Sequence, residues 1–228
     1  MTKKIEGQEE FLLLKKKNEE FIATLLHDIK SPMMSINIAL SNNLKNELLR
    51  DIYKINLANI NFIENLLYSY SFESGETSLN YREVDLTHIL HEQISIFKHL
   101  LIEKRLNIKV AGFQSLPPVN SCPVSIGRVF ANLLSNAHKY ALHGSEVSIE
   151  ARASSDSVVI EFSNAIRHKD QGFCDKIFDK FYTQKRYFSQ GLGLHICKKV
   201  IKELGGKIWV KSADKKITFY VELKIINR

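Results

Sequence analysis

The stretch FIATLLHDIKSPMMSINIAL, residues 21–40, carries the pattern from which the rest of the chain can be interpreted. Its apolar side chains recur at alternating steps of four and three residues, at Ile22, Leu26, Ile29, Met33, Ile36 and Leu40. This stripe predicts an amphipathic helix whose apolar side is buried against other helices. Pro32 removes one backbone donor, and we expect it to bend the helix.

His27 is the chemically interesting residue of this helix. At about 100° per residue, it lies on roughly the opposite face from the apolar stripe. Asp28 is next to it and Ser31 follows one turn later. A histidine that faces solvent in this setting can react with a group that docks from outside. A surface histidine on a coiled coil would give the same local pattern.

A second stripe predicts a partner helix for the first. Ser41, Asn42 and Asn43 interrupt the pattern as a helix connection. Apolar spacing then resumes at Leu48, Ile52, Ile55, Asn59, Phe62 and Leu66. Two such helices form a hairpin, and two hairpins form a four-helix bundle, so we expect a homodimer. Asn59 either fixes the register of this seam or lies at its edge.

Bulk properties limit the classes of protein to consider. The chain has 228 residues, 44% of them hydrophobic, which allows one or two domains. No apolar run approaches the ~18 residues of a membrane span, and the N-terminus has no signal-peptide pattern. The three cysteines are widely spaced and form no metal or redox motif, so we expect reduced thiols in a cytoplasmic protein.

The net charge of +7 admits nucleic acid or an acidic membrane as a partner. The lysines are scattered among acidic residues, however, and no nucleic-acid-binding motif is present. We therefore interpret the charge as a solvated surface with some basic groups for nucleotide phosphates, and we expect no specific nucleic acid partner.

Composition divides the chain at a polar segment. Residues 1–73 form the predicted helical hairpin, residues 74–82 a linker, and residues 83–228 a mixed domain. In the mixed domain, Asp85 or Thr87 can cap a helix. Predicted strands cover Leu106–Val110, Glu146–Ala151, Val158–Phe162, Ile208–Val210 and Ile217–Ile225.

A second strong helix covers residues 124–142. Asn132, Asn136, Lys139 and Tyr140 share its polar face. A carboxamide oxygen is a suitable ligand for Mg²⁺, and a nearby lysine suits phosphate. A merely solvent-exposed polar face is the alternative.

Residues 164–190 are irregular and basic, and their length predicts a mobile lid. GLGLHICKKVIKELGG follows, over residues 191–206. A Gly-x-Gly pair where a helix begins lets backbone amides approach phosphate, with help from the helix dipole.

Four motifs resemble those of the sensor histidine kinases of two-component systems. HDIKSP is similar to their phosphoacceptor box, NLLSNAHKYA to the N box, IFDKFY to the F box, and GLGLHICKKVIKELGGKIWV to the last glycine box with its helix and strand. They occur in the family's order and spacing. The resemblance implies an α+β fold, in which a dimeric helical hairpin precedes an α/β-sandwich (Bergerat-type) ATP-binding domain.

The resemblance also implies a role for individual residues in the hairpin and the N box. His27 accepts the γ-phosphoryl group of ATP, Asp28 orients or deprotonates its ring, and Ser31 positions water for dephosphorylation. Asn136 holds Mg²⁺, with Asn132 beside it.

Further roles fall on the rest of the ATP-binding domain. Lys139 and Tyr140 contact the phosphates and the base region, and Thr218 lies near adenine. Phe178 and Phe181 anchor the lid. The remaining nucleotide contacts come from the glycine-box stretch Gly191, Leu192, Gly193 and Leu194.

The chain departs from the family at the first glycine box. Asn164 replaces the aspartate that reads the adenine amino group, and the glycines after it are missing. Asp170-Gln171-Gly172 is an alternative at the wrong offset. Ser189 replaces a further glycine, and Cys122 stands where an acidic residue often precedes the N-box helix.

Three hypotheses follow. The first is an autokinase that phosphorylates His27 and passes the phosphoryl group to an aspartate of a response regulator receiver domain, with an added phosphatase activity and an upstream sensor protein as a further partner. The second is a degenerate member with weak nucleotide binding that works as a phosphatase or dimeric scaffold. The third, a basic DNA-binding dimer, rests on net charge alone.

Overall fold

The computed structural model describes residues 22, 25–26, 28–40, 46–73, 80–167, 173–182 and 191–225. The chain divides into two compact units, Met1–Ser78 and Leu79–Arg228. Among the described residues, no helix is long and apolar enough to cross a membrane.

The described part of the first unit contains two helices. The described part of α1 covers 28–40 and continues through Pro32, and α2 is Glu47–Glu73. Polar contacts join them: Asn56 Nδ2 donates to Met33 O at 2.6 Å and to Asn37 Oδ1 at 3.3 Å, and Lys30 Nζ lies 2.5 Å from Glu64 Oε1. Asn56 is buried, so its bond satisfies a polar group inside the hairpin.

The buried face of α2 is not the predicted stripe. The buried side chains are Tyr53, Asn56, Leu57, Ile60, Ile63 and Tyr68. Within the predicted stripe, Leu48 is 66% exposed and Ile55 is 62% exposed, and Asn59 is also exposed. A single chain therefore covers one apolar face of α2 and leaves a neighbouring one largely open.

The helices of the second unit begin at recognisable local signals. Asp85 caps α3 (Leu86–Glu103), since its carboxylate accepts from the amides of Thr87 and His88. Asp85 rather than Thr87 is thus the cap. Pro123 begins α4 (Pro123–Tyr140), as expected for a residue with no amide to satisfy. The short α5 is Phe173–Lys176, and α6 is Gly193–Glu203.

The strands form two sheets. A small antiparallel pair joins β1 (Arg82–Val84) to β3 (Val119–Ser121). The main sheet has the order β2-β4-β5-β7-β6, with β2 parallel to β4 and the other pairs antiparallel. Its strands are β2 (Asn107–Ala111), β4 (Glu146–Ala153), β5 (Ser157–Ala165), β6 (Lys207–Ala213) and β7 (Lys216–Lys224).

The core of this unit lies between one face of the main sheet and the helices α3, α4 and α6. Phe130 of α4 is fully buried, and its ring centroid is 5.6 Å from that of Phe162 on β5. Val200 and Ile201 are buried on the side of α6 that faces the core. This packing positions α4 and α6 on the sheet, and it therefore positions the polar residues of both helices.

Candidate active site

The polar face of α4 lies above a fully apolar one. Phe130, Leu133 and Leu134 are buried, whereas the side chains of Asn132, Asn136, Lys139 and Tyr140 are half-buried. Asn136 Nδ2 is buried and has no hydrogen-bond partner among the described residues. An unsatisfied buried amide costs about 1–3 kcal/mol, which indicates a site that a ligand completes.

Lys139 adds a positive charge to this face. Burial lowers the pKa of its ammonium group, because the charged form is poorly solvated there. It lies in the last turn of α4, where the helix dipole favours a cation. An anionic group placed against Lys139 would restore the lost solvation.

Asn132 supports α6 as well as facing the site. Its side chain lies beside the Cys197 thiol of α6. A Cβ added at Gly193 would lie 2.8 Å from Asn132 Oδ1, so only glycine allows this close approach. Burial raises the pKa of the Cys197 thiol to about 12, which makes that cysteine a packing residue rather than a nucleophile.

The start of α6 is shaped by its glycines. Gly191 has a φ of +68°, and its carbonyl accepts from the amide of Phe181 at 3.0 Å. Leu192 is buried and Leu194 half-buried. Leu192, the N-cap residue, has no polar side chain with which to cap the first amides of α6. Backbone amides at a helix N-terminus suit a phosphate.

Asn164 ends the inner face of β5. It is 5% exposed, and its Nδ2 donates to the carbonyl of Ala165 at 3.1 Å. Because the amide nitrogen is engaged there, the carboxamide oxygen remains as an acceptor. The residue opposite Asn164 on β7 is Ile217, which shares its face of the sheet.

Thr218 lies on the other face of the sheet. It pairs in register with Ser163, and their hydroxyl oxygens are 2.8 Å apart. Successive side chains of a strand alternate between faces, so the structure does not bring Thr218 together with Asn164. The motif resemblance selects Thr218, whereas in the observed register Ile217, one residue earlier, shares a face with Asn164, because a one-residue shift along a strand changes the face.

The two phenylalanines of the F box differ. Phe178 is 7% exposed, and its carbonyl lies 3.2 Å from His195 Nδ1. Phe181 is 64% exposed and has a φ of +67°. The ring of Phe178 is thus buried, as expected of a lid anchor. The ring of Phe181 is exposed, and this residue is held by the hydrogen bond from its amide to the carbonyl of Gly191. The sequence does not predict this contact of His195, because nothing in the pattern distinguishes His195 from the other residues of its helix.

The phosphoacceptor residues belong to the first unit. Asp28 and Ser31 are exposed on α1, and His27 lies outside the described residues. Residues 168–172 and 183–190 also lie outside the described residues, and they include part of the predicted lid, the alternative at Asp170-Gln171-Gly172, and Ser189.

The donor set fits a magnesium ion that a nucleotide helps to hold. The described residues contain no cluster of three or more His, Cys, Asp or Glu side chains suited to a metal. Asn136 offers a carboxamide, and Mg²⁺ commonly combines one or two protein oxygens with phosphates and water. Asn136 and Lys139 therefore match a magnesium nucleotide better than an ion bound by protein alone.

Comparison with known proteins gives consistent matches. Residues 122–226 match the family of histidine kinase-, DNA gyrase B- and HSP90-like ATPases. The sensor protein KdpD of Clostridium acetobutylicum is 30% identical over 202 residues, covering 82% of this chain and 22% of that protein. The probable sensor protein PcoS of Escherichia coli is 27% identical over 221 residues, covering 91% and 47%. The chain thus spans less than half the length of either sensor protein.

A solved structure of the histidine kinase ThkA in complex with the response regulator protein TrrA matches in fold. It has a TM-score of 0.62 at 23% identity, covering 90% of this chain and 61% of the other. The predicted α+β ATPase fold with its mixed sheet is confirmed. The dimeric four-helix bundle stays a prediction.

Proposed function

Because the chain belongs to the sensor histidine kinases of two-component systems, with a histidine kinase-type ATPase domain in its second half, we propose that it is an ATP-dependent histidine autokinase. It phosphorylates His27 and passes the phosphoryl group to an aspartate of a response regulator receiver domain. The proposed domains are the phosphoacceptor hairpin 1–73, the linker 74–82 and the ATP-binding domain 83–228.

The observation that carries this proposal is the polar face of α4. Asn136 Nδ2 is buried without a partner among the described residues, and three residues later Lys139 is a cation with depressed pKa. One ligand would supply both missing partners: the phosphate oxygens of a nucleotide accept from Asn136 Nδ2 and pair with Lys139, and the carboxamide oxygen of Asn136 is then available to the metal ion. A polar face with a purely structural role would require neither an unpaired buried amide nor a lysine with a lowered pKa.

The remaining residues orient the nucleotide. The first amides of α6, between Gly191 and Leu194, receive the phosphates, and the Asn164 oxygen accepts a hydrogen bond from the adenine amino group. Tyr140 borders the base region. Bound Mg²⁺ supplies neutralisation of phosphate charge. Positioning and charge stabilisation account for most of the expected acceleration.

At the phosphoacceptor, neutral imidazole is the nucleophile. A nitrogen–phosphorus bond forms as the bond between the γ-phosphorus and the ADP oxygen breaks. Asp28 holds the ring in the reactive orientation and accepts its proton. Ser31 positions water when the phosphorylated regulator is hydrolysed.

A response regulator is the proposed protein partner. ThkA was solved with the response regulator TrrA, which supports a partner of this class here. We place the reaction in the cytoplasm, where ATP and receiver domains are available, with an upstream sensor protein as the source of the signal.

The second candidate, a degenerate member acting as phosphatase or scaffold, has one specific observation in its favour. Asn164 supplies an uncharged acceptor, and Ile217 beside it adds no polar group to the base region. ATP binding would then be weak while the hairpin still served the regulator.

Radiolabelled ATP separates the two candidates. With Mg²⁺ present, the autokinase acquires acid-labile label that disappears in His27→Gln and in Asn136→Ala. An unlabelled wild type that still removes phosphate from a response regulator would replace the first candidate with the second.

A further inference from the structure

His195 is bonded to a segment far from it in sequence. It is the third residue of α6, and its Nδ1 lies 3.2 Å from the carbonyl oxygen of Phe178. A carbonyl can only accept, so Nδ1 carries the proton in this hydrogen bond. Among the described residues, no backbone amide donates to this carbonyl, which makes the imidazole its donor.

A second bond joins the same two segments. The amide of Phe181 donates to the carbonyl of Gly191 at 3.0 Å. Phe178 is buried, and Lys198 Nζ lies 5.8 Å from the centroid of its ring. The stretch 178–181 is thus attached to the beginning of α6 at two points, one through the backbone and one through His195.

The opposite side of α6 is held by α4. Asn132 Oδ1 approaches Gly193 closely, and Cys197 Sγ lies 3.9 Å from the carbonyl of Val129. Removing the hydrogen bond between His195 and Phe178 would weaken the attachment of the first turn of α6 on the side that faces residues 178–181.

We propose that His195 is a positioning residue for the nucleotide phosphates, acting through its bond to Phe178. This inference rests on the proposed ATP-binding function. The bond holds the first amides of α6 in the direction that phosphate requires, before any nucleotide arrives. Because the bond lies beside the first amides of α6, its effect is expected on the phosphate part of the ligand.

Two substitutions isolate the hydrogen bond. His195→Leu removes the donor and does not weaken the helix by propensity. His195→Asn keeps a donor, because Nδ2 of asparagine occupies nearly the position of Nδ1 of histidine. His91→Leu is the matched control, since His91 is an exposed histidine on α3.

The first measurement uses the nucleotide-free protein. Amide hydrogen exchange over residues 191–197 should be about fivefold faster in His195→Leu than in wild type, and near wild type in His195→Asn and His91→Leu. Unchanged exchange in a folded His195→Leu protein would overturn the proposal.

The second measurement compares two ligands by titration calorimetry. The Kd of ATP with Mg²⁺ should rise about five- to tenfold in His195→Leu, while the Kd of adenosine changes by less than about twofold. His195→Asn should recover most of the ATP affinity. Equal losses for both ligands, or no recovery with asparagine, would contradict a phosphate-positioning role.

The two measurements also separate this inference from the proposed function. A wild-type protein that binds no ATP contradicts the proposed function and, with it, the phosphate role of His195, whatever the exchange result. A wild type that binds ATP normally, with His195→Leu indistinguishable from it, contradicts only the inference.

Discussion

Asn164 and Thr218 come from neighbouring strands and face opposite sides of the sheet. Asn164 pairs with Ile217, and Thr218 bonds Ser163. Only Asn164 can therefore contribute to a base site on the helix-covered face.

Replacing each of these two residues tests that assignment. Asn164→Leu removes the acceptor for the adenine amino group, and we expect the Kd of ATP to rise about tenfold, equivalent to ~1.4 kcal/mol. Thr218→Val is the matched control and should leave the Kd within about twofold, although it loses the bond to Ser163. Calorimetric titration measures both Kd values. A larger loss of ATP affinity in Thr218→Val than in Asn164→Leu would mean that the base binds on the face of the sheet that carries Thr218, which would contradict the assignment.

Lys139 gives the site a pH dependence whose sign can be worked out. Its pKa is lowered by burial in the free protein, and bound phosphates would raise it again. ATP binding therefore takes up a proton in the window between the two values, and affinity falls as pH rises through the lowered pKa. Without ligand, the unfolded state holds this proton more tightly than the folded state. The free energy of unfolding therefore rises with pH between the lowered pKa and the ordinary lysine pKa of 10.5.

The Kd of ATP measured from neutral to alkaline pH checks this behaviour. Wild type should lose affinity with rising pH, and Lys139→Met should bind more weakly at neutral pH with a flatter profile. The same slope in both proteins would assign the titration to another group.

At the scale of elements, α2 carries two apolar faces side by side. One is buried within the hairpin through Leu57, Ile60 and Ile63. The other includes Leu48, Ile52 and Ile55 and is exposed in the single chain, as are Ile29 and Ile36 on α1. Contiguous apolar surface of this kind commonly marks a protein interface, and we predict that a second copy of the chain covers it.

Ile55→Glu tests that interface. A buried carboxylate without a partner is costly, so we expect the dimer to dissociate at concentrations where wild type remains dimeric. Arg50→Glu is the control, since Arg50 is exposed and about 140° away around the helix. Sedimentation equilibrium gives the masses. A monomeric wild type, or a dimer unaffected by Ile55→Glu, would contradict the assignment.

The bounds of helices and strands could be predicted from the sequence, whereas the buried face of α2 and the strand register could not. The helix over 124–142 and the strands that follow were predicted to within a few residues, because periodicity and turn residues agree locally. The choice between the two faces of α2 could not be made, because both have helical spacing. The pairing of Thr218 with Ser163 depends on strand register, which is set by contacts between strands distant in sequence.

At the scale of the whole molecule, the motifs predicted which residues share an element or a face better than they predicted individual contacts. Asn132, Asn136 and Lys139 share a face of α4 as predicted from their spacing, and the glycines at 191 and 193 begin α6. The hydrogen bond between His195 and Phe178 joins residues 17 positions apart in the chain, and no sequence pattern predicts it. The roles assigned to these residues stay predictions.

The most direct test of the central claim is to locate the phosphate on the protein itself. After incubation with ATP and Mg²⁺, the phosphorus NMR spectrum at alkaline pH should show a phosphohistidine signal, and peptide mapping should assign it to His27. His27→Gln should give no such signal while binding ATP as wild type does. A wild type that binds ATP yet carries no phosphate on His27, or carries it on another residue, would contradict the account.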